Sequence, residues 1–326
     1  MRNNMARKIR FIEIGTDEWL KYTIRTNLRK NGYCVIPDIL TAEEVADYKL
    51  MFFALYEKNE QIRLQHARND PHGIFKRGPF AHSLMRTYIL THPKVLKCFE
   101  LMHGTANLVG SQDGCAYIAP QDKANAHSVW THVDQAPNSF EKVSPGAEAT
   151  YTASQEYVNG KKCVQGMVTL THNKSRTFRV YPGSHLLTRK WMLETGKTGS
   201  ANWHKVEREY LAKHTYVNVE VPAGSLVLWD SRVWHQNTNE STGEERLVSY
   251  VCYLPRDHPG NTAVQAKKRL EYFAKKRTTS HWPYSVHVNG DQPQTYGNKD
   301  LLVDYSKVVY DELPPELEEK YLTLLR

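Results

Sequence analysis

The chain has 326 residues, of which 40% are hydrophobic and 24% are charged, so it can bury a substantial core and is not disordered over most of its length. It lacks an apolar run of about 18 to 20 residues, which excludes a membrane-spanning helix, and no apolar stretch of a secretory signal follows its basic N-terminus. We therefore expect an intracellular, cytoplasmic protein. The formal net charge of +8 is only a weak indication of an anionic partner.

The five cysteines are odd in number and widely spaced, and none forms a Cys-x-x-Cys pair. This pattern argues against a disulfide framework and against a cysteine zinc site. We expect these cysteines to be reduced and mostly buried.

The N-terminal quarter is predicted to be helix, strand and helix. Thr16, followed by two acidic residues, is typical of a helix start, and Gly32 is a suitable stop. Residues 33–37 indicate a short strand. Thr41 and Glu44 then form the pattern of a capping box, which predicts a helix through Leu55.

Short β-type runs separated by Pro and Gly predict an all-β region from about residue 107 to 254. The clearest runs are 115–118, 164–170, 216–221, 225–229 and 247–253.

Helical segments are predicted on either side of this β region and inside it. A polar insertion at 187–214 is expected to be helical, and so are 264–277 and the tail 314–326. Residues 280–298 are rich in Gly, Pro, Asn and Gln, which indicates a loop. We predict one domain over 1–326, with a core at about 30–255, N-terminal helical support at 1–60, and a C-terminal helical extension and lid at 261–326.

A possible metal site begins at His132 and Asp134. Residues two apart in a strand point to the same face, so both side chains could reach a single ion. His235, just after an apolar run, could supply a third ligand. Two imidazoles and one carboxylate form the facial triad of non-haem Fe(II) oxygenases. The isolated His-x-Asp pattern is equally typical of a structural histidine next to a surface aspartate.

Arg246 favours the metal site over that structural interpretation. It lies at the start of the last predicted strand, soon after His235. An always-charged, bidentate donor at this place suits the distant carboxylate of a dicarboxylate cosubstrate.

Several segments together resemble the phytanoyl-CoA dioxygenase family of Fe(II)- and 2-oxoglutarate-dependent oxygenases, over about residues 30 to 255. The segments that carry the resemblance are 31–45, 132–135, 166–170 continuing to 181–186, 224–230, His235 and Arg246. The resemblance implies a mainly β protein with flanking helices, whose core is a double-stranded β-helix of the jelly-roll or cupin type, with the metal between two sheets.

The resemblance also implies roles for individual residues. His132, Asp134 and His235 would be the catalytic Fe(II) ligands, and Arg246 would bind the C5 carboxylate of 2-oxoglutarate, with O2 as the other cosubstrate. The family often has a small hydroxyl residue two positions after the distal histidine, where this chain has Asn237. An amide can also donate a hydrogen bond, so we expect Asn237 to assist cosubstrate binding.

Other polar residues of the β region have simpler interpretations. His185 is expected to be a structural turn residue, and Gln165, Tyr117 and Thr169 are expected to face the core rather than a cosubstrate pocket. For Asp230, a contact near the iron site and a turn cap are equally good explanations.

Two basic clusters, 267–269 and 275–277, give the predicted helix 264–277 a basic face. A solvated helix face is the favoured interpretation, with binding of nucleic acid or of an anionic substrate as the second one.

The sequence therefore predicts a 2-oxoglutarate-dependent dioxygenase that hydroxylates a small molecule. A nucleic-acid or protein hydroxylase is one alternative, and a catalytically silent metal-binding or interaction module is another. Specificity is expected from the insertions 136–160, 187–214 and 280–298, and the last of these, including 281–284, is predicted to close over the site as a lid.

Overall fold

The computed structural model describes residues 15–63, 72–122, 129–137, 163–238, 243–284, 286–292 and 297–326. The described helices are α1 (Asp17–Asn31), α2 (Ala42–Lys58), α3 (Leu84–Leu90), α4 (Pro93–His103), α5 (Thr188–Glu194), α6 (Arg208–Leu211), α7 (Ala263–Ala274) and α8 (Pro315–Leu325).

The predicted helix, strand and helix of the N-terminal quarter are confirmed. The hydroxyl of Thr16 accepts a hydrogen bond from the backbone N–H of Trp19, and α1 ends at Gly32, whose φ of 80° lies in the left-handed region. Both halves of the capping box of α2 are formed, with Thr41 and Glu44 each accepting from the other's backbone N–H at 3.1 and 2.8 Å. Helices α3 and α4 were not predicted.

Twelve strands are described, and every strand pairing among them is antiparallel. They are β1 (Tyr33–Ile36), β2 (Ile74–Phe75), β3 (Leu108–Gly110), β4 (Cys115–Ile118), β5 (His132–Val133), β6 (Val164–Thr169), β7 (Asn173–Val180), β8 (His204–Lys205), β9 (Val217–Val221), β10 (Leu226–Asp230), β11 (His235–Asn237) and β12 (Arg246–Pro255).

These strands form two sheets. The large sheet has the order β1-β10-β6-β12-β4-β2, with β3 paired to the far end of β12, and the small sheet has the order β8-β5-β11-β7-β9. Neighbouring strands come from distant parts of the sequence, as a jelly roll requires. The predicted mainly β fold with flanking helices and a jelly-roll core is therefore confirmed.

Strands β2, β7 and β8 depart from the sequence prediction, and β2 lies outside the predicted β region. The insertion 187–214 contains helices α5 and α6, but its residues His204 and Lys205 form β8 and pair with β5, so it is not helical throughout. Strand β7 was not predicted, because its buried positions include polar residues such as Asn173 and Arg176, which remove the alternating hydrophobic pattern.

Hydrophobic residues fill three regions around the sheets. One cluster joins the large sheet to the helices and includes Phe52, Phe99 and Leu228. A second holds residues from both sheets, including Phe178 of β7 and Val227 of β10, and so forms the layer between them. A third cluster of buried residues packs around α5 and the small sheet, and it includes two tryptophans, Trp191 and Trp234.

The remaining global predictions concern the cysteines, the C-terminal helices and membrane spans. All five cysteine side chains are buried, as expected. Helices α7 and α8 confirm the predicted C-terminal helical segments. In the described part of the chain, no helix combines the length and the hydropathy that crossing a membrane would need.

Candidate active site

The two histidines of the predicted metal site lie directly opposite each other. His132 of β5 pairs with His235 of β11, and their ring centroids are 4.4 Å apart. Directly opposed residues of an antiparallel pair project to the same face of the sheet. Both imidazoles therefore point in one direction although they are far apart in the sequence.

Asp134 reaches the histidines from just outside the strand. Strand β5 ends at Val133, and the backbone N–H of Asp134 donates a 2.8 Å hydrogen bond to the carbonyl of Ser231. The side chain is thus positioned by this contact with the turn before β11, and not by strand alternation alone, as the spacing had suggested.

The three side chains converge on one point. Asp134 Oδ2 lies 3.3 Å from His235 Nε2 and 3.6 Å from His132 Nε2, and one ligand atom from each residue falls within 4.8 Å of the others. Adjacent ligands at about 2.1 Å from an octahedral ion would be about 3 Å apart. The spacing therefore fits three neighbouring ligands of one divalent ion.

The hydrogen bonds of the two imidazole rings involve Nδ1 and leave Nε2 of each ring available to bind a metal. His132 Nδ1 lies 3.1 Å from the carbonyl of Trp130, and His235 Nδ1 lies 2.9 Å from the carbonyl of Val233. When each Nδ1–H donates to its carbonyl, the lone pair of each Nε2 faces Asp134. A carboxylate and two lone pairs around one point form a donor set that suits a cation.

The electrostatics favour the charge states that a metal site needs. Burial acts to raise the pKa of the Asp134 carboxyl, but the nearby His132 and His281 and the close contacts with the ring nitrogens of His132 and His235 hold this pKa well below its usual value. Burial, together with the neighbouring His132, lowers the pKa of His235. These shifts favour an ionised Asp134 and a neutral His235.

Gln165 is a site residue that the sequence analysis assigned to the core. It lies on β6 of the large sheet, and its amide donates to Asp134 Oδ2 at 2.9 Å and to Ser231 Oγ at 3.2 Å. The expectation that it only packs in the core was therefore wrong. A glutamine on a strand gives no sequence signal that separates these two roles.

Arg246 lies at the start of β12 and is completely buried. Its Nη2 donates to Asn237 Oδ1 at 2.9 Å and contacts Met167 Sδ at 3.7 Å, whereas its buried Nη1 has no hydrogen-bond partner among the described residues. A buried guanidinium with an unsatisfied donor is costly unless an anion binds to it. This observation fits the carboxylate of 2-oxoglutarate.

Asn237 and Tyr250 surround this arginine. The Asn237 amide nitrogen donates to the Tyr250 hydroxyl at 3.2 Å, while its carbonyl oxygen accepts from Arg246. Tyr250 was not singled out from the sequence, although it follows Arg246 by four residues on one strand and so shares its face. That alternation was the signal that could have revealed it.

The side chains of the three proposed metal ligands line a cavity of about 300 Å³. Its walls are aromatic on several sides and also carry polar groups from the large sheet and the C-terminal segment. The lining residues include Trp130, Trp203, Trp229, Phe178, Asn202, Gln165, Asn237, Tyr250, Asp113, Lys76, Ser280, His281 and Asn289.

Comparison with known proteins identifies the family. Residues 28–248 match the phytanoyl-CoA dioxygenase (PhyH) family over two thirds of the chain. The chain belongs to the PhyH family. This membership agrees with the expected need for Fe(II), 2-oxoglutarate and O2.

Individual relatives are distant. The Ava biosynthesis cluster protein O of Aspergillus versicolor is 25% identical over 209 residues, which are 60% of this chain and 61% of that relative. The structure of GIG2 (DUF1479) from Candida albicans covers 92% of this chain and 79% of its own, at 14% identity and a TM-score of 0.59. The epimerase SnoN, solved with Fe3+, alpha ketoglutarate and nogalamycin RO, is 21% identical, with a TM-score of 0.48 over 75% of this chain and 88% of that one. The likeness to GIG2 shows a shared fold.

Two core predictions for this PhyH protein are confirmed. Tyr117 packs in the hydrophobic cluster between the large sheet and the helices, with its ring centroid 5.2 Å from that of Phe52. Thr169 donates to the carbonyl of Pro222 at 2.7 Å, which is a structural contact.

The turn residues likewise lie away from the proposed ligands. His185 Nε2 lies 3.1 Å from the carbonyl of Arg29, so this histidine joins the turn to α1. Asp230 binds the guanidinium of Arg232 at 2.8 and 2.5 Å and accepts from its backbone N–H. Of the two explanations left open for Asp230, these contacts favour the turn cap.

Proposed function

We propose that this PhyH enzyme hydroxylates a small molecule held in the 300 Å³ cavity, with His132, Asp134 and His235 binding Fe(II) and Arg246 binding the distant carboxylate of 2-oxoglutarate. The observation that carries this proposal is the convergence of the three ligand atoms within 4.8 Å at the wall of this cavity. The unsatisfied Nη1 of the buried Arg246 supports the cosubstrate assignment.

Bound Fe(II), with 2-oxoglutarate and O2, would supply the oxidising chemistry, and the chain supplies binding, orientation and shielding from water. The carbonyls of Trp130 and Val233 hold the two imidazole rings with Nε2 directed at the metal position. Asn237 holds the guanidinium of Arg246, and its amide nitrogen already donates to Tyr250. We therefore propose that Asn237 orients Arg246 and in this way assists cosubstrate binding.

A small-molecule substrate agrees with the size of the cavity. A volume of about 300 Å³ lies at the lower end of the range for small-molecule sites, and aromatic walls with a few polar groups are typical of them. The relative from Aspergillus versicolor is named for a biosynthesis cluster, which also supports a small-molecule substrate.

The segment after α7 contributes to this cavity. Thr279, Ser280 and His281 line it, and the indole N–H of Trp282 donates to the carbonyl of Asp134 at 3.2 Å. We propose that this part of the predicted lid covers the bound substrate. The predicted specificity insertion 136–160 lies almost entirely outside the described residues.

The proposal is tested by metal binding and by substrate-free turnover. Equilibrium dialysis under anaerobic conditions should give one Fe(II) per chain, and the loaded enzyme should release succinate slowly from 2-oxoglutarate. Asp134→Ala and His235→Ala should abolish both signals. His172→Ala, which alters an exposed histidine paired with Glu220, is the matched control and should retain them. If Asp134→Ala or His235→Ala binds Fe(II) as tightly as the wild-type chain, the assignment of the metal ligands is refuted.

A further inference from the structure

The two basic clusters of the C-terminal region have different surroundings. In the first, Arg269 is buried and donates to the carbonyls of Leu325 and Pro283 at 2.7 and 2.8 Å, so it ties α7 to the C-terminus. This arginine does not belong to the solvated face that the sequence suggested. In the second cluster, residues 275–277 lie just beyond α7 and line a separate cavity of about 440 Å³.

The walls of this second cavity are strongly basic. They carry five cationic side chains, those of Lys76, Arg77, Lys275, Lys276 and Arg277. Among the residues that line this cavity, the single acidic one is Asp291, which pairs with Arg277 at 2.7 Å. Glu271, which is not one of the lining residues, pairs with Lys275 at 2.6 Å, so positive charge remains in excess by three after both pairs are counted. We call this set the basic cavity. Its excess of positive charge in a concave site attracts and concentrates anions.

The basic cavity adjoins the candidate active site. Lys76 and Asn289 line both cavities, and Ile74, two residues before Lys76, also lines the active-site cavity. Thr278 accepts a 2.9 Å hydrogen bond from the backbone N–H of Asn289, and Thr279 forms a β-bridge with Val288. This pair of segments therefore forms part of the wall of both cavities and fixes their relative position.

We propose that the basic cavity binds an anionic group of the substrate, a phosphate ester or a carboxylate, while the carbon to be oxidised lies in the active-site cavity. This inference rests on the proposed function, because it takes the ligand to be the substrate of that site. The shared residues Lys76 and Asn289 allow one extended molecule to occupy both cavities. The substrate class is thus a small organic molecule with a charged end.

The test measures binding of inorganic pyrophosphate to the metal-free protein by calorimetry, with citrate as a second probe. The triple variant Lys76→Gln/Lys275→Gln/Lys276→Asn removes three charges from the basic cavity. Asparagine is chosen at Lys276 because φ is 51° there, in the left-handed region that asparagine tolerates. The control variant Lys94→Gln/Lys190→Gln/Lys213→Gln removes the same charge from exposed lysines elsewhere.

We expect the cavity variant to bind pyrophosphate, citrate or both at least tenfold more weakly than wild type, and the control variant to change by less than threefold. The probe with the larger loss identifies phosphate or carboxylate as the preferred group. Thermal melting checks folding, and if the triple variant does not fold, Lys76→Gln and Lys275→Gln singly should each weaken binding about threefold. Equal affinities of the cavity and control variants, or no binding by wild type, would overturn the proposal.

Two further measurements separate the alternatives. The first is binding of duplex DNA. If the wild-type chain binds DNA more tightly than pyrophosphate or citrate, with a steep salt dependence, and the cavity variant does not bind it, the proposal is overturned in favour of a nucleic-acid partner. Fe(II) binding by the wild-type chain is measured independently. If the chain binds anions in the basic cavity but does not bind Fe(II), the proposed function is rejected. If it binds Fe(II) but no anion in the basic cavity, only the anion site is rejected.

Discussion

The side-chain amide of Gln165 donates a 2.9 Å hydrogen bond to Asp134 Oδ2, the same oxygen that lies 3.3 Å from His235 Nε2. Gln165 belongs to the large sheet, whereas His235 belongs to the small sheet. The position of the proposed carboxylate ligand therefore depends on both sheets, and the hydrogen bond across the interior restrains its orientation.

Replacing Gln165 by leucine should weaken Fe(II) binding by about 10- to 100-fold, because partners that orient metal ligands typically contribute this much to affinity. Equilibrium dialysis with Fe(II) measures the effect, and thermal melting measures any loss of stability. Gln236→Leu is a suitable control, since Gln236 is also buried but its carbonyl oxygen accepts from Thr131 instead. A loss of Fe(II) affinity as large in the control would show that the effect is merely structural.

Arg246→Lys should weaken 2-oxoglutarate binding at least tenfold and leave Fe(II) binding unchanged. A lysine ammonium cannot make the paired contacts of a planar guanidinium with a carboxylate. The measurement is a titration of the Fe(II)-loaded enzyme with 2-oxoglutarate in the absence of O2.

The matched control for this variant is Arg176→Lys. Arg176 is also completely buried, but its guanidinium donates to the backbone carbonyls of Ala119 and Asp122 at 2.8 and 2.9 Å. Its replacement should lower the melting temperature without a comparable loss of cosubstrate affinity. Equal affinity of Arg246→Lys and wild type for 2-oxoglutarate would contradict the assignment of Arg246.

Local sequence patterns were sufficient for some of these features. The caps at Thr16, Thr41 and Gly32 depend on side chains and backbone angles within a few residues, so they could be predicted directly. The family motifs likewise indicated which histidines and aspartate would converge. Their convergence in space depends on the pairing of β5 with β11, which composition and spacing do not encode.

Other features depend on long-range contacts and had no readable signal. Asp134 is placed by the carbonyl of Ser231, almost one hundred residues later, and Gln165 becomes a site residue only because β6 faces Asp134. Strand β8 forms because His204 and Lys205 pair with the edge of β5. This tertiary contact outweighs the local preference of the polar insertion for helix.

Glu244 should make the stability of the protein sensitive to acid. Its carboxylate accepts hydrogen bonds from the backbone N–H groups of Lys174, Ser175 and Arg176 at 2.6, 2.8 and 3.0 Å, at the start of β7. Partial burial acts to raise the pKa of Glu244, but the hydrogen bonds from Ser175 and the other two residues outweigh burial and lower it.

Because the pKa of Glu244 is lower in the folded state, its contribution to stability is present above the unfolded value of about 4.3 and is lost as the pH falls through the folded value. Glu244→Gln should reduce the free energy of unfolding at pH 7 by only about 1 kcal/mol, since Glu244 is only partly buried. Urea unfolding at pH 7 and at pH 3 should show this difference shrinking in acid. Glu220→Gln, at an exposed ion pair, is the control. A difference that does not depend on pH would contradict the role of the charge.

Gly32→Ala should destabilise the protein and disturb the metal site. Gly32 adopts a φ of 80°, which costs a residue with a Cβ about 1–2 kcal/mol. A Cβ at this position would also lie 2.6 Å from His185 Nδ1 and 2.9 Å from Val233 Cγ2, so both neighbours would have to move. Val233 carries the carbonyl that orients His235, so the strain is transmitted to a proposed iron ligand.

The control for Gly32→Ala is Gly199→Ala, because Gly199 has a similar φ of 87° but a Cβ added there would meet no atom of the residues that the structure describes within 4 Å. Both variants incur the cost of the left-handed backbone, so the difference between their free energies of unfolding reports the overlap with His185 and Val233. We expect Gly32→Ala to have the lower stability and a weaker affinity for Fe(II), and Gly199→Ala to bind Fe(II) as wild type does. If Gly32→Ala loses stability but binds Fe(II) normally, the contact between Val233 and His235 does not control the orientation of the ligand. The comparison thus separates a backbone effect at the end of α1 from a packing effect on the candidate active site.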